Sequence, residues 1–122
     1  MSANVNHQTS DGKTCLMAAI IGGHIETVAF LLTLPGINVN AKDNEGRTAL
    51  MYAAILGYAN IVKLLRKRND LDVNLQDLHG KTALMHAVNG ANGMNCELIR
   101  TIQAKAKAER RWGNRKRHRN EQ

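Results

Sequence analysis

Two polar side chains near the N-terminus have the residue types of a nucleophilic active site. Cys15 could act as a thiolate nucleophile, and His24 could serve as the base that activates it. Such a pair must meet within hydrogen-bond distance. Cys15 follows a turn, whereas His24 lies in a different loop, so the spacing does not favour a dyad. We therefore predict no catalytic residue and expect that the protein is not an enzyme.

Two other patterns bear on phosphate and metal binding. The tripeptide at 12–14, Gly-Lys-Thr, has the ending of a phosphate-binding loop, but the glycine that should precede it is missing. The remaining histidines lack a histidine four residues away and a cysteine partner, which zinc binding would favour. These histidines are His7, His79, His86 and His118. The sequence predicts no metal site and no cofactor.

Most of the positive charge lies in the C-terminal segment. The chain has 17 Lys and Arg against 10 Asp and Glu, a net charge of +7, and residues 103–122 contribute +6 of it. Three interpretations stay open: a solvated charge run, a nuclear-import address or acidic-partner site, and phosphate contacts to nucleic acid with Trp112 stacking on bases. The basic residues concerned are Lys105, Lys107, Arg110, Arg111, Arg115, Lys116, Arg117 and Arg119.

Composition limits the class of protein. At 122 residues with only 3% aromatic residues, a core must be built from Leu, Ile, Val, Ala and Met, which suits thin helical layers. No apolar run reaches the roughly 18–20 residues of a membrane span, so we expect no membrane partner. Cys15 and Cys96 are too few for a disulfide framework. We expect an intracellular protein, cytoplasmic or nuclear.

The segments that must position these side chains recur with a period of 34 residues. Gly12, Gly46 and Gly80 keep this spacing, as do the threonines two residues after each of them. The tripeptides Asn-Val-Asn, Asn-Val-Asn and Asp-Val-Asn at 4–6, 38–40 and 72–74 keep it too. A fixed period of this length indicates a stacked repeat array.

Each unit is predicted to be a turn followed by two short helices. In residues 38–71, the segment 43–46 has turn composition, and Thr48 precedes an apolar periodic run whose first N–H groups its hydroxyl can cap. Gly57 can end that helix in the left-handed conformation, and a second helix follows from about Asn60.

Helices of about eight residues are marginal alone, so stacking must bury their apolar faces. We expect a continuous core from Leu16, Val28, Leu50, Val62 and Leu84. Small residues would let successive helices approach closely. These are Ala19, Ala53 and Ala87.

The pattern Asp-x-x-Gly-x-Thr-x-Leu-x-x-Ala, followed by a Val/Leu-rich helix and Asn-Val-Asn or Asp-Val-Asn, resembles the ankyrin repeat through residues 4–102. The resemblance implies an all-α solenoid of stacked helix–turn–helix repeats joined by β-turn or hairpin loops. Proline and histidine of the family pattern are replaced by Cys15, Ala49 and Ala83, and by Met17, Met51 and Met85. We expect methionine packing to fill the space of the missing histidines.

The same resemblance implies domain limits. Repeats are expected at about 4–37, 38–71 and 72–103 within a domain of 1–103, with a basic C-terminal helix extension and tail at 104–122. The third repeat loses the pattern and gains about three residues near 90–95, and its last helix is expected to run from about Cys96 to Trp112.

The family resemblance further implies a non-catalytic protein–protein interaction module. Its partner would contact the turn tips and the inward face of the first helix of each repeat, with Tyr52 and His86 at the border. Carried over by position, the expected partner-binding residues are Ser10, Asp11, Lys13, Ile21, Lys42, Asn44, Glu45, Arg47, Tyr52, Ile55, Leu56, Gln76, Leu78, His79 and Lys81. Alternatively, Ile55 and Leu56 are ordinary core residues.

Two other modes of association remain open at this point. Residues 1–9 cannot cover the outer apolar face of the first repeat, so we expect either a larger parent protein or self-association through that face. The competing function class is a nucleic-acid-binding or nuclear-targeted protein that acts through the basic tail at 105–119.

Overall fold

The computed structural model describes residues 4–89 and 96–104. It contains the helices α1 (Cys15–Ile21), α2 (Ile25–Leu31), α3 (Ala49–Leu56), α4 (Ala59–Leu65) and α5 (Ala83–Asn89). Residues 96–104 are also helical. Turns join these helices, and no β-strand occurs within 4–89 or 96–104. The predicted all-α class is confirmed.

The first helix of every repeat begins in the same way. The side-chain oxygens of Thr14, Thr48 and Thr82 each accept a hydrogen bond from the backbone N–H three residues later, at 3.2 to 3.3 Å. The bond satisfies one of the N–H groups that a helix start leaves without a partner. α3 ends at Gly57 in the left-handed conformation, with φ 75°. The capping and stop signals predicted from the sequence are therefore confirmed in α3.

The helices form two layers, because the first helix of each repeat packs against the first helix of the next, and the second helix against the second. α3 lies between α1 and α5 in a first-helix layer, and α2 packs against α4 in a second-helix layer. α1 also contacts α2, and α3 contacts α4, so each repeat is a packed pair. This arrangement is the predicted solenoid, in which each unit buries its apolar surface against its neighbours.

One continuous hydrophobic cluster runs through the repeats. Leu16, Leu50, Val28 and Val62 are at most 1% exposed, as predicted, whereas Leu84 is only half-buried at the edge of the cluster. Helical residues 96–104 complete it with Cys96 and Ile99. The three alanines expected at the close helix contacts are buried as well. They are Ala19, Ala53 and Ala87.

Recurring asparagines clamp the junctions between repeats. The amide of Asn40 donates to the carbonyl of Asp70 at 2.7 Å, and its Oδ1 accepts from the backbone N–H of Asp72 at 2.9 Å. Asn6, one period earlier, makes the corresponding two bonds at 2.8 and 2.7 Å. Of the valines that precede these asparagines, Val39 is 1% exposed and Val5 is half-buried against the same core. The tripeptide repeated in the sequence is therefore the connector of the array.

The methionines behave differently along the array. Met17 is fully buried and Met51 is 1% exposed, which confirms that they fill interior space. Met85 is 49% exposed, although it has the same position in α5. The difference is that α1 and α3 are each followed by another first-layer helix, while no further first-layer helix follows α5 among the described residues.

Several predictions lie outside the described ranges. The extra residues near 90–95 and the basic segment from 105 onward belong to this part, so the length of the last helix and the domain boundary at 103 stay predictions. Within the described residues, no helix is long and apolar enough to cross a membrane.

Candidate functional site

A buried aspartate organises the turn that precedes α3. Oδ1 of Asp43 accepts from the backbone N–H groups of Glu45 and Arg47, both at 2.9 Å. The N–H of Asp43 donates to the carbonyl of Arg47, also at 2.9 Å, and closes the hairpin. These bonds hold the backbone of the turn tip while the side chains of Asn44 and Glu45 remain exposed.

The third turn has the same construction, and the first turn has a variant of it. Oδ1 of Asp77 accepts from the N–H groups of His79 and Lys81 at 2.9 Å. In the first turn Thr9 takes the place of the aspartate, and its hydroxyl oxygen accepts from the N–H of Lys13 at 3.2 Å. The repeats thus present three tips of one geometry with different side chains.

Backbone hydrogen bonds tie the three tips together. The N–H of Asn44 donates to the carbonyl of Asp11, and the N–H of Leu78 donates to the carbonyl of Glu45, both at 3.1 Å. The side chain of Asn44 also donates to the carbonyl of Ser10 at 2.9 Å. Adjacent tips are therefore held in a fixed register.

A second set of cross-repeat bonds involves side chains. Gln8 donates through Nε2 to the carbonyl of Lys42 at 2.7 Å. Lys42 in turn donates through Nζ to the carbonyl of Gln76 at 2.9 Å. These two bonds repeat the period of 34 residues. They reinforce the alignment of the tips on the side of the turn before the buried aspartate.

Tyr52 lies beneath the first two tips. Nζ of Lys13 is 5.8 Å from the ring centroid of Tyr52, and the guanidinium carbon of Arg47 is 5.9 Å from it. The hydroxyl of Tyr52 donates to Oδ2 of Asp43. Burial, reinforced by this carboxylate, raises the pKa of Tyr52 above its ordinary value, so the hydroxyl keeps its proton. One ring therefore lies within cation–π distance of two cations from adjacent repeats.

His86 has the corresponding position in the third repeat. Its Nε2 is 2.8 Å from Oδ2 of Asp77, whose side chain is 1% exposed. Burial acts to raise the pKa of Asp77, but hydrogen bonds from the N–H of Lys81, the His86 ring and the N–H of His79 outweigh it and lower the pKa to about 2. Asp77 is therefore a buried carboxylate held in its charged form.

The first tip carries an ion pair at the surface. Nζ of Lys13 is 3.1 Å from Oδ2 of Asp11 and 3.9 Å from Oδ2 of Asp43. Hydrogen bonds from Thr9 and then Lys13 lower the pKa of Asp11 to about 2, and the bond to Asp11 raises the pKa of Lys13. Both groups are charged at neutral pH, and the lysine spans two repeats.

Apolar side chains lie exposed among these charges. Leu78 on the third tip is 74% exposed, and Leu56 and Ile21 at the ends of α3 and α1 are 40% and 38% exposed. Ile55 is half-buried. The alternative that Leu56 and Ile55 are plain core residues fits Ile55 in part and does not fit Leu56.

The residues expected to bind a partner divide by burial, and Tyr52 stands apart at 7% exposed. The structure therefore places Tyr52 in support of the surface residues and not among them. Lys13, Arg47 and Ile55 are half-buried. The remaining members of the set are exposed. They are Ser10, Asp11, Ile21, Lys42, Asn44, Glu45, Leu56, Gln76, Leu78, His79 and Lys81.

Sequence analysis missed the two carboxylates that organise the tips. The sequence indicates Asp43 and Asp77 only as the aspartate of the repeat pattern, and Asp43 also as part of a turn, yet each binds two amides and one side chain of the following helix. A signal was present, because Tyr52 and His86 each follow their aspartate by nine residues. Side chains that can form hydrogen bonds at the same position of two repeats indicate that each bonds to the equivalent residue of its own repeat, here the aspartate.

The side chains considered for catalysis are directed elsewhere. The thiol of Cys15 donates to the carbonyl of Val5 at 3.4 Å, and the ring of His24 lies against the backbone of Gly22. Among residues 4–89 and 96–104, no group of three or more His, Cys, Asp or Glu side chains is placed to hold a metal ion. The basic tail at 105–119 lies outside the described residues, and its role stays a prediction.

Comparison with known proteins agrees with this architecture. A family model described as ankyrin repeats (3 copies) matches residues 1–77, which is more than half of the chain. No curated protein matches the sequence. The matched residues include the first two helix pairs and the connectors between them. On this match and on the stacked helix pairs, the chain belongs to the ankyrin-repeat family.

Proposed function

We propose that the protein is a non-catalytic interaction module that binds a segment of another protein across its turn tips and the adjoining residues of α1, α3 and α5. Ankyrin repeats generally mediate protein–protein interaction. The proposal rests chiefly on one observation: backbone bonds fix three tips in register, while the side chains they carry are exposed and differ from tip to tip.

The physical advantage of this arrangement is preorganisation. Ordering flexible loops on binding opposes association, and a loop that is already ordered avoids that cost. Here the amides of Asn44 and Leu78 are bonded to the preceding tip, and Asp43 and Asp77 hold the loops from inside. A partner would meet a surface whose backbone needs little rearrangement.

The surface combines apolar and charged groups. Leu56 and Leu78 supply apolar area. The guanidinium of Arg47 lies near the ring of Tyr52, and its Nη1 is 3.2 Å from Oε2 of Glu45. Arginine and aromatic residues are enriched at interfaces. We propose that Arg47, Leu56 and Leu78 form the centre of the contact and that Tyr52 holds Arg47 in position.

Site-specific photo-crosslinking in the native cell would test the proposal. A photoreactive phenylalanine analogue placed at Leu56 or Leu78 should capture a discrete partner protein. The same analogue at exposed Lys63 of α4, in the second-helix layer, serves as the matched control. Arg47→Glu in the Leu78-labelled chain should greatly reduce the product. Equal capture from Lys63, or no effect of Arg47→Glu, would contradict the proposed surface.

The basic tail is a separate candidate for binding. If it drives association with nucleic acid, binding to arbitrary RNA should weaken steeply with salt. Deletion of residues 109–122 should then abolish that binding and leave crosslinking from Leu78 unchanged. Only a loss of both activities on deletion would mean that the tips and the tail act together.

A further inference from the structure

The first helices of the three repeats have equivalent contact surfaces, and within residues 4–89 and 96–104 a following repeat covers two of them. Met17 and Met51 are at most 1% exposed, and the equivalent Met85 is 49% exposed. Ala54 of α3 is fully buried, and the equivalent Val88 of α5 is 53% exposed. The face that the first two repeats turn to the next repeat is thus exposed on the third.

The turn of the third repeat shows the same difference. A Cβ atom added at Gly12 or Gly46 would lie 2.6 or 2.8 Å from a backbone nitrogen of the following turn, that of Asn44 or Leu78. A Cβ atom at Gly80 would meet nothing within 4 Å. Gly80 nevertheless has the same positive φ, 73° against 76° at Gly46. The third tip has the shape that accepts a following tip.

The opposite face is exposed on the first repeat. Cys15 at the start of α1 is exposed, whereas the equivalent Ala49 and Ala83 are each 2% exposed. Thr27 of α2 is also exposed, and its equivalent Ile61 is 2% exposed. The side that the second and third repeats turn to a preceding repeat is therefore open on the first.

An open groove marks this face. It has a volume of about 390 Å³ and is lined in part by Thr9, Cys15 and Ala18. The positions equivalent to Thr9 and Ala18 in the second repeat are Asp43 and Tyr52, which are buried there. The groove therefore coincides with surface that a preceding repeat covers elsewhere in the array.

We propose that the third repeat of one molecule stacks on the first repeat of a second copy, continuing the internal repeat–repeat interface between chains. This association would use the ends of the array and so goes beyond the binding proposed for the tips. A second copy is the fitting occupant because the two exposed faces are the two sides of an interface that already forms twice within the chain.

The internal contacts specify the expected pairing. Met85 and Val88 of one copy would cover Cys15 and Ala18 of the other. The tips already pair through backbone bonds from Asn44 to Asp11 and from Leu78 to Glu45; by repetition, the N–H of Ser10 in the second copy would donate to the carbonyl of His79. The two faces differ and lie at opposite ends, so the contact is heterologous and can add further copies.

Sedimentation velocity of the full chain, in reducing buffer to prevent disulfide formation through Cys15, would test the proposal. The average mass should rise continuously with concentration beyond that of a dimer. The double change Met85→Glu with Val88→Glu should lower the association constant by at least about tenfold, because it buries carboxylates in an apolar contact. Ala18→Glu with Thr27→Glu should do the same from the other face.

Mixing the two double variants gives the decisive measurement. Each keeps one intact face, so each should remain monomeric alone, while the mixture should form a one-to-one heterodimer and stop there. Asn60→Glu, at an exposed position of α4 in the central repeat, is the control and should associate like the unaltered chain. Thermal unfolding would verify that every variant is folded, which their exposed sites favour.

The alternatives give different results. A chain that is monomeric at all concentrations would overturn the proposal. Self-association of the Met85→Glu, Val88→Glu variant to a dimer would also overturn it, because it would show symmetric pairing through the first repeat. A mixture of variants that stays monomeric would exclude head-to-tail stacking.

Discussion

Nε2 of His86 lies 2.8 Å from Oδ2 of Asp77, and the pair is almost completely enclosed, with the two side chains 10% and 1% exposed. Tyr52 binds Asp43 in the same way one repeat earlier. In both repeats, a carboxylate of the turn is joined to a side chain of the first helix. The turn tip and the helix are thereby fixed relative to each other.

Acid should destabilise the protein through Asp77. The pKa of Asp77 is about 2 in the folded state and 3.8 in an ordinary aspartate, so the unfolded state binds more protons between these values. The stabilisation is fully present above pH 3.8 and is lost as the pH falls towards 2. Urea unfolding at a series of pH values should show a declining free energy of unfolding across this window.

Asp77→Asn tests the assignment. The variant should lose about 1–3 kcal/mol at pH 7, because the buried amides and the His86 ring lose a charged acceptor. Its decline in stability between pH 3.8 and 2 should be shallower than that of the unaltered chain. Asp72→Asn, at an exposed aspartate, is the control, and an identical change of slope in both variants would refute a special role for Asp77.

A methyl group at Gly46 should cost more than one at Gly80. Both glycines have positive φ, so alanine at either position carries a conformational cost of about 1–2 kcal/mol. At Gly46 the new Cβ would also lie 2.8 Å from the backbone nitrogen of Leu78, whereas at Gly80 it meets nothing within 4 Å. We expect Gly46→Ala to be about 1–3 kcal/mol more destabilising than Gly80→Ala.

Denaturant unfolding in dilute solution, where monomers dominate, measures this difference. Dilution matters because a second copy stacked on the third tip would bring atoms close to Gly80. Equal losses in the two variants would mean that backbone conformation alone accounts for both glycines and that the tips do not approach as closely as described.

Much of the fold could be predicted from the sequence because its signals are local and are repeated. Threonine before an apolar run predicts a helix start, and the structure caps the first helix of each repeat at Thr14, Thr48 and Thr82. The period of 34 residues then predicts stacking without any knowledge of which atoms touch. Helix existence, helix order and the burial of Leu16 and Leu50 all follow from these signals.

The candidate site was less predictable because it depends on contacts between repeats. The position of Tyr52 suggested a surface residue, yet Lys13 and Arg47 lie over its ring and its hydroxyl donates a hydrogen bond to Asp43, so the side chain is buried. Likewise, the exposure of Met85 depends on which residues pack against α5. The methionines at positions 17 and 51 are identical in type and give no information about that packing.

Truncation to alanine should cost more at the buried Met51 than at the half-exposed Met85. Met51→Ala should cost about 2–5 kcal/mol, because a side chain that is 1% exposed leaves a cavity between α3 and its neighbours. Met85→Ala should cost less than about 1 kcal/mol in dilute solution, since half of that side chain already meets solvent. Chemical denaturation compares them, and a loss at Met85 as large as at Met51 would contradict the described packing of α5.

Removal of one connector asparagine should weaken the array between the second and third repeats. Asn40→Ala deletes two hydrogen bonds, to the carbonyl of Asp70 and from the N–H of Asp72, and should lower the free energy of unfolding by about 1–3 kcal/mol. Asn40→Asp keeps the acceptor for Asp72 but turns a carboxylate oxygen towards the carbonyl of Asp70, so it should not restore stability. Asn69→Ala, at an exposed position in the same connector, should have little effect.

Hydrogen exchange locates the damage that Asn40→Ala causes. Because repeat arrays are held together by nearest-neighbour contacts, exchange should accelerate most in α5 and in residues 96–104, while α1 should be affected least. A uniform acceleration through all helices would show instead that the array unfolds as one cooperative unit and that Asn40 supports the whole structure and not a single junction.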